Sequence, residues 1–143
     1  MLVAGRIQRV AHLLDAALRP PFEAELLGNG DFDVLAALRR AGDPFAMRPV
    51  DLSRAMLVTT GAVTKRIDRL EAAGLVDRRS SVEEDARGKV IRLTPAGRKL
   101  VDRMIAVHLA NEDLLLAALS VRERKTLGDL LAKLSVNLES PPV

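Results

Sequence analysis

The stretch that decides the fold runs from Pro49 to Thr94, PVDLSRAMLVTTGAVTKRIDRLEAAGLVDRRSSVEEDARGKVIRLT. Pro49 suits a first helical position, because its ring pre-sets φ and its missing N–H is not needed there. Val50, Leu52, Ala55 and Met56 then make a short two-turn helix, although Arg48 before it is a poor cap. Leu57 and Val58 form a tight connection. Thr59 or Thr60 offers a side-chain oxygen to the first unsatisfied N–H groups of a second helix, which runs to about Ala73 and stops at Gly74. Leu75 to Arg79 and Val90 to Leu93 are β-prone and are joined by the polar SSVEEDARGK, as a hairpin requires. A hairpin alone is marginal, so it must lean on the helices. Helix, turn, helix and hairpin, in that order, make a winged helix-turn-helix, a unit that offers one helix to a DNA major groove and a thin arm to the neighbouring backbone or minor groove.

Outward from this stretch the chain reads as helical. Between Arg6 and Arg19, residues Ile7, Val10, Ala11, Leu14 and Leu18 form one apolar stripe on a helix that Pro20 and Pro21 terminate. Gly28-Asn29-Gly30 breaks the chain, and Asp31 caps a helix carrying Phe32, Val34, Leu35 and Leu38 until Gly42 closes it. Thr94-Pro95 opens a long helix with Leu100, Val101, Met104, Ile105, Val107 and Leu109 inside it, extending as far as Ala118. Ser120 to Glu123 has the capping-box pattern, and Leu127, Leu130, Leu131, Leu134 and Leu138 make a last stripe before a frayed tail. The terminal helices carry more apolar face than a lobe of this size covers by itself, so two copies should interleave them. The expected architecture is mainly α with a small β-hairpin wing. Residues 31–94 form a winged-helix DNA-binding lobe and residues 1–30 with 95–143 a helical dimerisation region, all within one domain.

Composition agrees with helix-on-helix packing. Of the 143 residues 48% are hydrophobic but only 2% aromatic, so the core must be built from aliphatic side chains. The absence of cysteine excludes disulfides, thiolate metal sites and thiol redox sensing. The longest apolar run, Leu114 to Leu119, is far short of the roughly 20 residues that cross a bilayer. The start, MLVAGRIQRV, has charges where a signal peptide needs an apolar stretch. A cytoplasmic protein without a membrane partner is expected.

On the second helix of the motif, Val63, Ile67 and Leu70 cluster on one side and anchor it in its own core. Gly61, Thr64, Lys65 and Asp68 therefore point outward, with Arg69 on one flank and Thr60 and Arg66 nearer the buried boundary. Gly61 lets the helix approach base edges closely. Thr64 can meet a thymine methyl or a base acceptor, and Lys65 can donate to guanine O6 and N7. Thr60 and Arg66 are placed for adjacent phosphates. In the hairpin, Asp85 and Arg87 stand two apart on an extended arm and share a side, so the carboxylate can orient the guanidinium for a narrow minor groove, while Lys89 suits a phosphate. Glu83 and Glu84 oppose this at the tip. From Thr60 to Arg92 the chain has eight Lys and Arg against six acids, a balance of only +2, so affinity should depend on placement and on dimerisation more than on bulk charge.

TKRIDRLEAAGLVDRR, then Asp85-Ala86-Arg87, with Leu93-Thr94-Pro95-Ala96-Gly97 behind it, resembles the MarR family of transcriptional regulators. The likeness is strongest from about Phe32 to Leu100, and its best markers are the D-x-R wing and the L-T-x-x-G entry into the long helix. The resemblance implies a homodimeric repressor or activator whose first and last helices form the dimer interface. It also implies a pocket, between that interface and the DNA-binding lobe, for small and often aromatic acidic effectors. By position it places Thr60, Gly61, Thr64 and Lys65 on the recognition surface and Arg87 on the wing, with Asp85 in support. Peroxide sensing through a reactive cysteine is excluded, and no tryptophan is present for urate-type sensing.

Other classes fare worse. His12 and His108, on different helices, could meet in a dimer with acids such as Asp15 or Glu112 as zinc ligands, but such histidines are more often structural or solvated, and no metal or cofactor is expected. No Gly-rich phosphate loop, HExxH pair or nucleophile elbow occurs, so enzyme activity is not expected. The runner-up is a winged-helix protein-interaction or assembly module without DNA binding. For dimeric DNA binding, the two recognition helices should lie about 34 Å apart and read a near-palindrome.

Overall fold

A computed structural model describes residues 2–28, 30–56, 58–80 and 88–139. Among them the order is α1 (Leu2–Leu18), α2 (Pro20–Ala24), α3 (Asp31–Arg40), β1 (Ala46–Met47), α4 (Pro49–Met56), α5 (Thr60–Ala72), β2 (Val76–Ser80), β3 (Lys89–Leu93), α6 (Pro95–Leu115) and α7 (Val121–Glu139). The mainly helical winged-helix architecture is as expected, with three differences of detail. Pro20 and Pro21 end α1 but also open α2, where a missing N–H costs nothing. The hairpin gains a third strand, since β1 pairs antiparallel with β3 on the side away from β2, Ala46 opposite Arg92. At the head of α3 the cap is Gly30, at φ +78, and Asp31 lies within the first turn, where a carboxylate complements the helix dipole.

The chain divides into two compact units, Met1–His108 and Leu109–Val143. In the first, Val34, Leu35 and Leu38 of α3 meet Leu52 of α4, Val63, Ile67 and Leu70 of α5, Val76, Ile91 and Leu93 of the sheet, and Leu100, Val101 and Met104 of α6 in one buried cluster. The three α5 members are those that periodicity assigns to its inner face. Thr94 joins sheet to helix. Its hydroxyl donates to the Gly74 carbonyl at 2.7 Å and accepts from Gly97 N–H at 3.0 Å, capping α6. Gly97 is required because a Cβ there would strike the Leu75 carbonyl. The L-T-x-x-G marker is thus a buried leucine, a cap and a close backbone approach.

In the second unit the capping box is formed, with Ser120 N–H donating to Glu123 Oε2 at 2.8 Å and Glu123 N–H to Ser120 Oγ at 3.2 Å. Arg124 ties the turn down by donating to Asp113 Oδ1 at 2.7 Å and to the Leu119 carbonyl at 3.2 Å. Among the described residues, neither α1 nor α7 contributes one to a buried position.

Candidate nucleic-acid interface

The turn before α5 is built to aim that helix. Ser53 Oγ donates to the Val58 carbonyl at 2.6 Å, and Val58 N–H donates back to the Ser53 carbonyl at 3.2 Å. Thr59, in extended backbone at ψ 154°, then caps α5 by accepting from Ala62 N–H at 3.2 Å. With Val63, Ile67 and Leu70 facing inward, Thr60, Gly61, Thr64 and Lys65 come together on the exposed side of the first two turns. These four candidates share one face. Thr64 Oγ1 donates to the Thr60 carbonyl at 2.9 Å.

The remaining basic residues of α5 behave differently. Arg69, expected on the flank of the recognition face, turns onto Asp31: its Nη2 donates to Oδ1 at 2.7 Å and its Nε to Oδ2 at 3.3 Å. Asp31 is buried, and its Oδ2 also accepts from Gly28 N–H at 2.7 Å. The hydrogen bond to Asp31 raises the Arg69 pKa above its ordinary value, so the guanidinium stays charged. Arg66 is half-buried with its guanidinium against Gly30, where a Cβ would collide with it. Both arginines therefore lie against the chain that leads into α3, Arg69 through its ion pair with Asp31 and Arg66 through its approach to Gly30. Periodicity gives a direction along the helix wheel, but it cannot say which neighbouring loop comes over that direction.

A second clamp holds the sheet. Arg78 on β2 donates to Asp68 and, at 2.5 Å, to Glu71, both on α5. Its pKa is raised, chiefly by the hydrogen bond to Asp68. Arg79 pairs with Asp77 of its own strand at 3.1 Å. Both arginines of β2 are thus engaged with acids. Lys89 is exposed at the end of β3, opposite Ser80. Asp85 and Arg87 lie outside the described residues.

The resemblance implied a pocket but named no residue of it; the first unit holds a cavity of about 400 Å³, walled by Leu18, Arg19, Phe22, Phe32 and His108 among others. Phe22 stacks on Phe32 at 4.6 Å between ring centroids, and His108 lies 5.4 Å from Phe32. Arg19 is paired with Asp15. Gly28 and Gly30 also line it, so the segment gripped by Arg66 and Arg69 forms part of its wall. These residues come from α1 to α3 and from α6, and no sequence motif joins them. Among the described residues no cluster of three His, Cys, Asp or Glu is placed to hold a metal, and His12 is exposed on α1.

A family model of the MarR family matches residues 26–88. Over 138 residues the chain is 38% identical to the HTH-type transcriptional regulator PecS of Dickeya dadantii, a match covering 96% of this chain and 82% of PecS. The chain belongs to the MarR family. Among solved structures it is similar to a mutant MarR from E. coli complexed with operator DNA, with a TM-score of 0.83 at 27% identity over 94% of each chain. It is also similar to BpsR of Bordetella bronchiseptica, whose DNA binding is regulated by 6-hydroxynicotinic acid, with a TM-score of 0.82 at 28% identity over 93% of this chain and 92% of BpsR. As a MarR-family transcriptional regulator the chain falls in a class that is not enzymatic. The matched segment holds every clamp partner on α5 and β2 together with the Gly28 to Asp31 entry to α3.

Proposed function

We propose that this MarR-family regulator is a ligand-responsive repressor that binds a near-palindromic operator as a homodimer. The observation that carries the reading is the exposed face of α5, where Thr60, Gly61, Thr64 and Lys65 stand together at the end of the helix that a winged helix-turn-helix presents to the major groove. On the wing, Lys89 serves a phosphate, and Arg87, oriented by Asp85, serves the minor groove. Dimerisation is supported by α1 and α7, which leave Leu13, Leu127, Leu130, Leu131 and Leu134 exposed on helices that place no residue in a fully buried position. Residues 1–30 and 95–143 would supply that interface. The effector is a small aromatic or acidic molecule, for which the cavity offers two phenylalanine rings and the imidazole of His108, with Arg19, paired with Asp15, and the carboxylates of Glu23 and Asp33 also in its wall. Its occupant would lie against Gly28 and Gly30, the segment that anchors α5, so occupancy would shift the position of the recognition helix.

The test is selection of duplex fragments by the purified protein, followed by affinity against salt concentration with and without hydroxynicotinic or hydroxybenzoic acids. Enriched inverted repeats, a steep fall of affinity with salt, a dimer by mass and release by an aromatic acid are expected. A monomer that enriches no duplex at low salt overturns the reading in favour of a protein-interaction module.

A further inference from the structure

The first turns of α5 carry a glycine that no packing among the described residues requires. Gly61 lies within regular helix, and a Cβ there would meet nothing within 4 Å among the described residues. Glycine inside a helix lowers stability relative to alanine, because the unfolded chain has more freedom to lose. Gly97 shows the contrasting case, a helical glycine that a neighbouring carbonyl makes necessary. Among the described residues nothing accounts for the bare flank at Gly61, and a partner molecule that comes close to it would.

Three residues on, and thus adjacent on the helix surface, stands exposed Thr64. Its hydroxyl donates to the Thr60 carbonyl at 2.9 Å, so the polar arm of the side chain is turned back along its own helix. Because χ1 of a β-branched residue has few staggered positions in a helix, that bond leaves the γ-methyl as the outward group. The result is a shallow notch, floored by the Cα of Gly61 and edged by a methyl.

We propose that Gly61 and Thr64 read the 5-methyl group of a thymine in the major groove. The inference deepens the DNA-binding reading and rests on it. Thymine alone presents a methyl there, at the position where cytosine presents only a hydrogen, and a notch with an apolar edge discriminates between the two by contact rather than by hydrogen bonding. Lys65, the next residue, is left to a guanine edge or a phosphate.

The experiment uses the full chain and duplexes it enriches from a random-sequence library. Each thymine of an enriched duplex is replaced singly by deoxyuridine, which removes only the methyl, and binding is measured for wild type, Thr64→Ser and Thr64→Val. At one position per half-site deoxyuridine should weaken wild-type binding about fourfold, the transfer value of one buried methyl. Thr64→Val should keep that discrimination and Thr64→Ser should lose it. Indifference of the wild type to deoxyuridine at every position overturns the proposal. Equal discrimination by Thr64→Ser also overturns it, because the hydroxyl would then be the reading group. Failure to enrich any duplex overturns the DNA-binding reading together with the proposal, and is recognised by the absence of a site to substitute.

Discussion

The two halves of α5 use the same helix for different ends. In the first half, Thr60, Gly61, Thr64 and Lys65 stand exposed on one face. In the second, Arg66 lies on Gly30, Asp68 and Glu71 hold Arg78, and Arg69 holds Asp31. The difference teaches that charge on a recognition helix is not equivalent to charge offered to DNA. On the proposed reading one half meets the DNA, while the other is held against α3 on one side and β2 on the other and so fixes the angle at which the first would do so. Acids on a helix that approaches a polyanion look unfavourable until their arginine partners are seen.

The largest effect should come from breaking the anchor to α3. Asp31 is buried, and its carboxylate accepts three hydrogen bonds, two of them from a guanidinium. Asp31→Ala should lower stability by about 2 kcal/mol, within the range for hydrogen bonds to charged groups; Arg69 is half-exposed and regains water, which keeps the loss from being larger. Chemical denaturation measures it. Operator affinity in the same variant should fall beyond what the unfolded fraction explains, and a variant that binds DNA normally once folded would break the division between holding and reading.

A smaller effect tests the other clamp and has a sign that separates two views. Arg78→Ala removes two partly exposed ion pairs and should cost about 1 kcal/mol at most. Glu71→Gln, by contrast, removes a negative charge beside DNA. If Glu71 acted only through the field, binding would tighten. If it holds Arg78 and through it β2, binding should weaken by a few-fold despite the more favourable charge. Affinity at two salt concentrations distinguishes these outcomes.

How much of this was legible in the sequence depends on whether a feature is local. The inner face of α5, its cap within the pair Thr59 and Thr60, the capping box at Ser120 and the helix starts at Pro49 and Pro95 follow from periodicity and from side chains acting within four residues. β1 escaped notice because two residues, Ala46 and Met47, carry no alternation, and their strand exists only through β3. α2 escaped because prolines that end one helix can begin the next. The contacts of Arg66 and Arg69 within the chain had no local signal, since their partners lie 36 and 38 positions earlier in the chain and reach them only after α3 packs on α5. The cavity, drawn from residues as far apart as Asp15 and His108, has no local signature.

The sharpest version of the comparison lies at Gly61, where stability and function should move in opposite directions. Gly61→Ala adds a methyl into open space on a helix and removes backbone freedom from the unfolded chain. It should stabilise the protein by roughly 0.5–1 kcal/mol, raising Tm by about 2–4 °C. The same methyl would stand where a base edge must come closest, so operator affinity should drop several-fold while affinity for the aromatic effector is unchanged. In the second half of the helix the two quantities should fall together, because there a side chain that holds the fold also sets the docking angle. Gly61→Ala protein that is both more stable and equally tight on DNA would mean that the bare flank faces nothing, and the first half of α5 would lose its claim to be the reading half.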